Sequence, residues 1–180
     1  MAGNLYKATV KWAGDEFFIG TGYTGHAQVM DSKGDRAVAT SPIEMLLVAV
    51  AGCTAMDVIS ILLKKRQNVT AYDVEITGER VEEHPRKFVR FNVHHIVHGR
   101  SVSEKAVADA IELSDQKYCS VAATVRPAAE IFTSYEIVDL SEPPAAGEVK
   151  LEVPPNEIEK TTFLRVRSPI CVPYRQVSRS

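Results

Sequence analysis

Two cysteines carry the reactive potential of this chain. Cys53 lies in the middle of Ser41 to Lys65, SPIEMLLVAVAGCTAMDVISILLKK, and Cys119 lies in LSDQKYCSVA. A thiolate is a nucleophile and can be oxidised reversibly to a sulfenic acid or a disulfide, so two thiols can do redox chemistry if the fold activates one of them. The alternative for each is an inert, packed thiol. Cys53 gains no activation from its own helix, because the helix dipole fades within the terminal turns and burial holds a thiol protonated. Asp57, four residues on, shares the face of Cys53 and opposes thiolate formation. Glu44, nine residues back, points the opposite way at about 100° per residue. A reactive Cys53 therefore requires a cation or donors from elsewhere in the fold. Cys119 is expected early in a helix with Lys117 just before it, a field that mildly favours the thiolate. Cys171, in the Pro-rich SPICVP, reads as incidental.

His94, His95 and His98 invite a metal reading. In a strand His94 and His98 share one face and His95 points to the other, leaving two ligands where zinc takes three or four. His26 or His84 would have to join them, and their spacing gives no sign of it. With Arg90 and Asn92 alongside, a solvated sheet surface is the better reading, and no metal or cofactor is expected.

Positioning the thiols falls to a small set of elements. Ser41 to Lys65 is strongly helical, with Ser41 as N-cap, Pro42 in the first turn and Lys64, Lys65 and Arg66 at the C-terminus. Its apolar residues fall on every side, so other elements or a second subunit must wrap it. Before it, YKATVKW, FFIGTG and HAQVMD read as an antiparallel meander with a turn at Gly14-Asp15, and Ser32 to Thr40 is a polar loop carrying Arg36. After it, Tyr72 to Val81 and Phe88 to His98 alternate as a hairpin. Ser101 to Glu104 has the form of a capping box before a helix whose face is Val107, Ala110, Ile111 and Leu113. Ser114 begins a further helix holding Cys119 and ending near Arg126-Pro127, and Ile131 to Val138 is a last strand. This order, strands, long helix, hairpin, helices, strand, gives an α+β domain over 1–139 with antiparallel sheets around a central helix. From 140 to 180 six prolines and mixed charges suggest an extended or disordered tail.

The 180 residues are 45% hydrophobic with a formal net charge of -2, which supports a sizeable core and argues against a nucleic-acid partner. The start lacks the apolar run of a secretory signal, and Glu44 and Asp57 interrupt the long apolar stretch, so no membrane partner is expected. Three cysteines without metal-type spacing fit a cytoplasmic protein with reduced thiols.

SPIEMLLVAVAGCTAMDV followed by LSDQKYCSVA resembles the paired cysteine motifs of the OsmC/Ohr family, the osmotically inducible and organic-hydroperoxide-resistance proteins. The resemblance spans roughly Leu5 to Asp139 and is strongest to the YhfA-like branch, through GDRAVATSPIEM, DVISILLKKRQNV and DQKYCSVA. It implies an intertwined homodimer of α+β subunits with the central helices inside and two active sites at the interface. It also implies roles: a cysteine at the position of Cys53 attacks the peroxide, and one at the position of Cys119 closes a disulfide that a dithiol, lipoyl-type in the Ohr branch, re-reduces. The family's acid directly follows the motif proline, where this chain has Ile43, with Glu44 one place later. The family's activating arginine belongs to the first hairpin, where this chain has Gly14-Asp15-Glu16, so Arg36 is the candidate replacement.

The resulting expectation is a thiol peroxidase acting on organic hydroperoxides or another apolar electrophile, with Cys53 as nucleophile, Cys119 as resolving thiol and Arg36 as activator, and with Glu44, in place of the family's acid, as the remaining site residue. The rival expectation is a non-enzymatic redox-sensing or apolar-ligand-binding protein of the same fold.

Overall fold

A computed structural model describes residues 5–32 and 38–140. Arg36, Cys171 and the expected tail beyond Leu140 lie outside the described residues.

Strands β1 (Thr9–Gly14), β2 (Phe17–Thr21) and β3 (Ala27–Met30) form an antiparallel meander in that order. Gly14 and Asp15 both take positive φ, 104° and 49°, which is the backbone a tight hairpin turn requires. Register places Trp12, Phe18 and Met30 in one row across the sheet. Much of this apolar surface is uncovered within the chain, Trp12 being 69% exposed.

Helix α1 (Pro42–Lys64) starts with a full capping box: the Ser41 hydroxyl accepts from the Glu44 backbone N–H, and the Glu44 carboxylate accepts from the Ser41 N–H at 2.7 Å. It ends in a Schellman arrangement, Gln67 N–H to Leu62 C=O and Arg66 N–H to Leu63 C=O, with Arg66 itself at φ 55°. Only Val50, Val58 and Leu62 of the helix are fully buried, and Met56 is 73% exposed. By length and composition alone α1 is long and apolar enough to cross a membrane.

The second sheet has the order β4 (Val69–Arg80), β5 (Phe88–Gly99), β6 (Glu130–Asp139). The β4–β5 pair is the expected hairpin, but β6 runs parallel to β5, which corrects the expectation of purely antiparallel sheets. Parallel neighbours need a crossover, and α2 (Glu104–Leu113), a π-helical turn (Ser114–Tyr118) and α3 (Ser120–Val125) supply it. On β5, Phe91, Val93, His95 and Val97 face inward, joined by Ile131 and Ile137 of β6. Val58 and Leu62 of α1 pack there with Val107, Ala110 and Ile111 of α2, while Leu113 stays exposed. Gly78 lets β4 approach closely, since a Cβ there would meet Phe88 at 2.5 Å and Leu47 at 2.9 Å.

Candidate active site

Cys53 stands midway along α1, and Cys119 stands where the crossover turns from the π-helical turn into α3. The Ser114–Tyr118 turn displaces the chain so that Cys119 caps α3, with its Sγ accepting the Ala122 N–H at 3.3 Å. It does not sit within a continuous helix, as the sequence suggested. Both cysteines are free thiols, Cys53 half-buried and Cys119 3% exposed. Their Sγ atoms and a carboxylate oxygen of Asp57 all lie within 4.8 Å of one another.

The electrostatics of Cys119 correct the expected mild thiolate preference. Burial, then the neighbouring Cys53 thiol, push the Cys119 thiol up to about 11, with the Asp57 charge adding to the rise and the Ala122 N–H only partly opposing it. Lys117 does not help: its ammonium lies 5.6 Å over the exposed Tyr118 ring.

Asp57 is held from the far side by Ser114, a fully buried hydroxyl that donates to Oδ2 at 3.1 Å and lies 3.1 Å from Thr54 Oγ1. A hydroxyl has one proton, so Thr54 is left to donate to Ser114, giving the chain Thr54 to Ser114 to Asp57. Beside Cys119 is a cavity of about 10 Å³, lined by Val50, Thr54, Ile111 and Asp115 among others. It has room for about one water. Asp115 is itself held by Arg126, whose guanidinium bonds to its carboxylate and, at 3.2 Å, to its C=O.

Of the other expected residues, Glu44 sits elsewhere and Arg36 lies outside the described residues. Glu44 is exposed in the first turn of α1, its carboxyl held below the usual range by the hydrogen bonds from Ser41, and within this chain it does not join the thiols. The S-x-x-E spacing of Ser41 and Glu44 was the available signal for this capping role. Asp31 bonds to the described residues just before α1. This buried carboxylate, which the sequence reading missed, accepts from the Val38 N–H at 3.1 Å, and its own N–H donates to Thr40 C=O. An apolar groove of about 360 Å³, lined by Val10, Phe18, Met30 and Pro42, opens near the start of α1. Eleven residues of helix, about 16 Å at 1.5 Å per residue, separate Pro42 from Cys53.

The histidines divide by face as expected. His94 and His98 are on the outer face, with His94 Nδ1 2.9 Å from the Ser134 hydroxyl and His98 Nε2 3.8 Å from an Asp73 carboxylate oxygen. His95 is 0% exposed on the inner face, with its Nδ1 2.6 Å from the Tyr72 hydroxyl and its Nε2 without a partner. Burial lowers His95 to about 4, with the neighbouring His94 adding to the drop, and burial raises Tyr72, so both rings stay neutral at physiological pH.

With this geometry in view, comparison with known proteins is informative. The family model described as OsmC-like protein matches residues 32–134. Protein YhfA of Escherichia coli K12 is 48% identical over 133 residues, covering 73% of this chain and 98% of that protein. Among solved structures, an OsmC-like protein from Mycoplasma pneumoniae superposes with a TM-score of 0.66 at 17% identity, covering 75% of this chain and 98% of that one. An organic hydroperoxide resistance protein from Elizabethkingia anophelis shares the fold, with a TM-score of 0.57 at 13% identity over 77% of this chain and all of that one. The chain belongs to the OsmC family.

Proposed function

We propose that this protein is a thiol peroxidase that reduces organic hydroperoxides. The observation that carries the reading is the approach of Cys53 to Cys119, from two elements far apart in sequence, to within 4.8 Å. Their unequal burial divides the roles. Cys53, the more accessible thiol, attacks the terminal peroxide oxygen: Cys53–SH and ROOH give Cys53–SOH and ROH. Cys119, buried and held protonated, does not compete for peroxide and instead displaces hydroxide from the sulfenic acid, giving a disulfide and one water. An external dithiol then takes up the disulfide and restores both thiols, which suits a reducing cytoplasm. The apolar residues that surround Cys53 along α1 favour an organic peroxide. That a protein of the same fold is an organic hydroperoxide resistance protein supports the assignment.

The proposal includes a homodimer. Val48, Met56 and Leu63 of α1 and Val10 and Trp12 of β1 are large apolar groups left exposed by a single chain, and a second copy would cover them. Such a copy is also the route by which Arg36 or Glu44 of one subunit would reach Cys53 of the other.

The raised Cys119 and the engagement of Glu44 with Ser41 favour a second reading, a slow redox sensor or an apolar-ligand carrier that uses the same disulfide without turnover. Peroxide consumption with a dithiol reductant separates the two. Under the peroxidase reading, Cys53→Ser abolishes turnover, while Cys119→Ser completes one turnover and accumulates sulfenic or sulfinic acid at Cys53. Full turnover in both single variants would end the peroxidase reading.

A further inference from the structure

The same three groups also satisfy the requirements of a metal site. Among the described residues, Cys53, Asp57 and Cys119 form the group of three possible ligands whose donor atoms converge within 4.8 Å. A tetrahedral zinc with Zn–S near 2.3 Å separates two sulfurs by about 3.8 Å, so the donors need close by no more than about 1 Å. We propose that the reduced protein binds one thiophilic divalent cation, of the Zn2+ class, through Cys53 Sγ, Cys119 Sγ and the Asp57 carboxylate.

The surroundings supply what such a site needs beyond its ligands. Ser114 donates to Asp57 Oδ2 and so fixes the carboxylate, the arrangement by which outer hydrogen bonds orient metal-binding carboxylates. The Ala122 N–H donates to Cys119 Sγ and so stabilises sulfur carrying negative charge. The fourth position falls to a water, and the cavity of about 10 Å³ lined by Thr54, Asp115 and Cys119 has room for one. Two thiolates with one carboxylate make a donor set that selects Zn2+, Cd2+ or Co2+ over Mg2+ and Ca2+. Among the described residues, no lysine or arginine pairs with Asp57. Positive charge at the cluster is therefore left for the ion to supply.

Binding is balanced as M2+ with two thiols giving a dithiolate complex and two protons, with no change in oxidation state. It occupies both sulfur lone pairs needed for peroxide chemistry, so metal and peroxide compete for the same pair of thiols. The metal site holds independently of the peroxidase reading: thiols that ignore peroxide but bind metal would end that reading and leave this one standing.

Co2+ is the probe, since thiolate ligation gives a sulfur-to-cobalt charge-transfer band and a tetrahedral site gives intense visible bands. The full chain, reduced and freed of reductant under argon, is titrated with Co2+, then with Zn2+. The expected result is one Co2+ per chain with both features, displaced by one equivalent of Zn2+. Cys53→Ser and Cys119→Ser should each weaken apparent affinity at least a hundredfold, and Asp57→Asn ten- to a hundredfold. The wild-type disulfide form should bind none, a measurement that does not depend on how the variants fold. A wild-type protein without the charge-transfer band would overturn the proposal. So would binding that persists in the disulfide form, or variants that bind as the wild type does.

Discussion

Ser114 reaches 57 residues back along the chain to hydrogen-bond Asp57, its buried hydroxyl 3.1 Å from the carboxylate Oδ2. This contact ties the start of the π-helical turn to the middle of α1, the two segments that deliver Cys119 and Cys53. It fixes where the carboxylate stands relative to both sulfurs.

Ser114→Ala removes that donor and leaves the Asp57 oxygen and the Thr54 hydroxyl without their shared partner. Losing a buried donor to a carboxylate costs about 1–3 kcal/mol, so the urea midpoint should fall with an unchanged m-value. A variant within 0.5 kcal/mol of the wild type would mean that the contact does not hold the crossover in place.

Acid should destabilise the protein before its carboxylates titrate. His95 falls from 6.5 to about 4 in the fold, so between those values the unfolded chain binds more protons than the native one. Stability is therefore complete above pH 6.5 and is lost as pH falls toward 4. The total is about 3 kcal/mol at 1.36 kcal/mol per pKa unit. The lowered Glu44 and Asp109 carboxyls begin to act as pH falls through their ordinary values of 4.5 and 3.8, at the acid end of this window. His95→Leu should flatten the slope between pH 6.5 and 4 in equilibrium unfolding, and an unchanged slope would place the acid sensitivity elsewhere.

Arg66 occupies the left-handed position after α1, at φ 55°, where a side chain is disfavoured and glycine is at ease. Arg66→Gly should stabilise the protein by about 0.5–1 kcal/mol, after the greater unfolded-state freedom of glycine is offset. Thermal unfolding checks it, and a lowered midpoint would show that the arginine makes a compensating contact.

Local patterning made most elements legible and left their partners unread. Ser41-Pro42 before an apolar run located the start of α1, and the alternation in Phe88 to His98 assigned His95 to the inner face. Periodicity establishes that Ile131 to Val138 is a strand but carries no information on direction, so the parallel pairing of β6 with β5 was hidden. Polar residues in Ser114 to Lys117 permit a helix, yet the π-helical turn that moves Cys119 to a cap is set by tertiary packing. The Asp57 position on the Cys53 face followed from helical spacing, whereas its bond to Ser114 and the Tyr72–His95 pair join segments distant in sequence. The capping box of Ser41 and Glu44 was visible in their spacing.

The approach of the two thiols is the relationship on which the proposed chemistry depends. Its most direct test is intact mass and disulfide mapping of the reduced protein after one equivalent of cumene hydroperoxide, beside the same dose of hydrogen peroxide. Loss of two hydrogens through a Cys53–Cys119 bond, faster with the organic peroxide, is the predicted result. Thiols that remain reduced over minutes with both oxidants would contradict the peroxidase account.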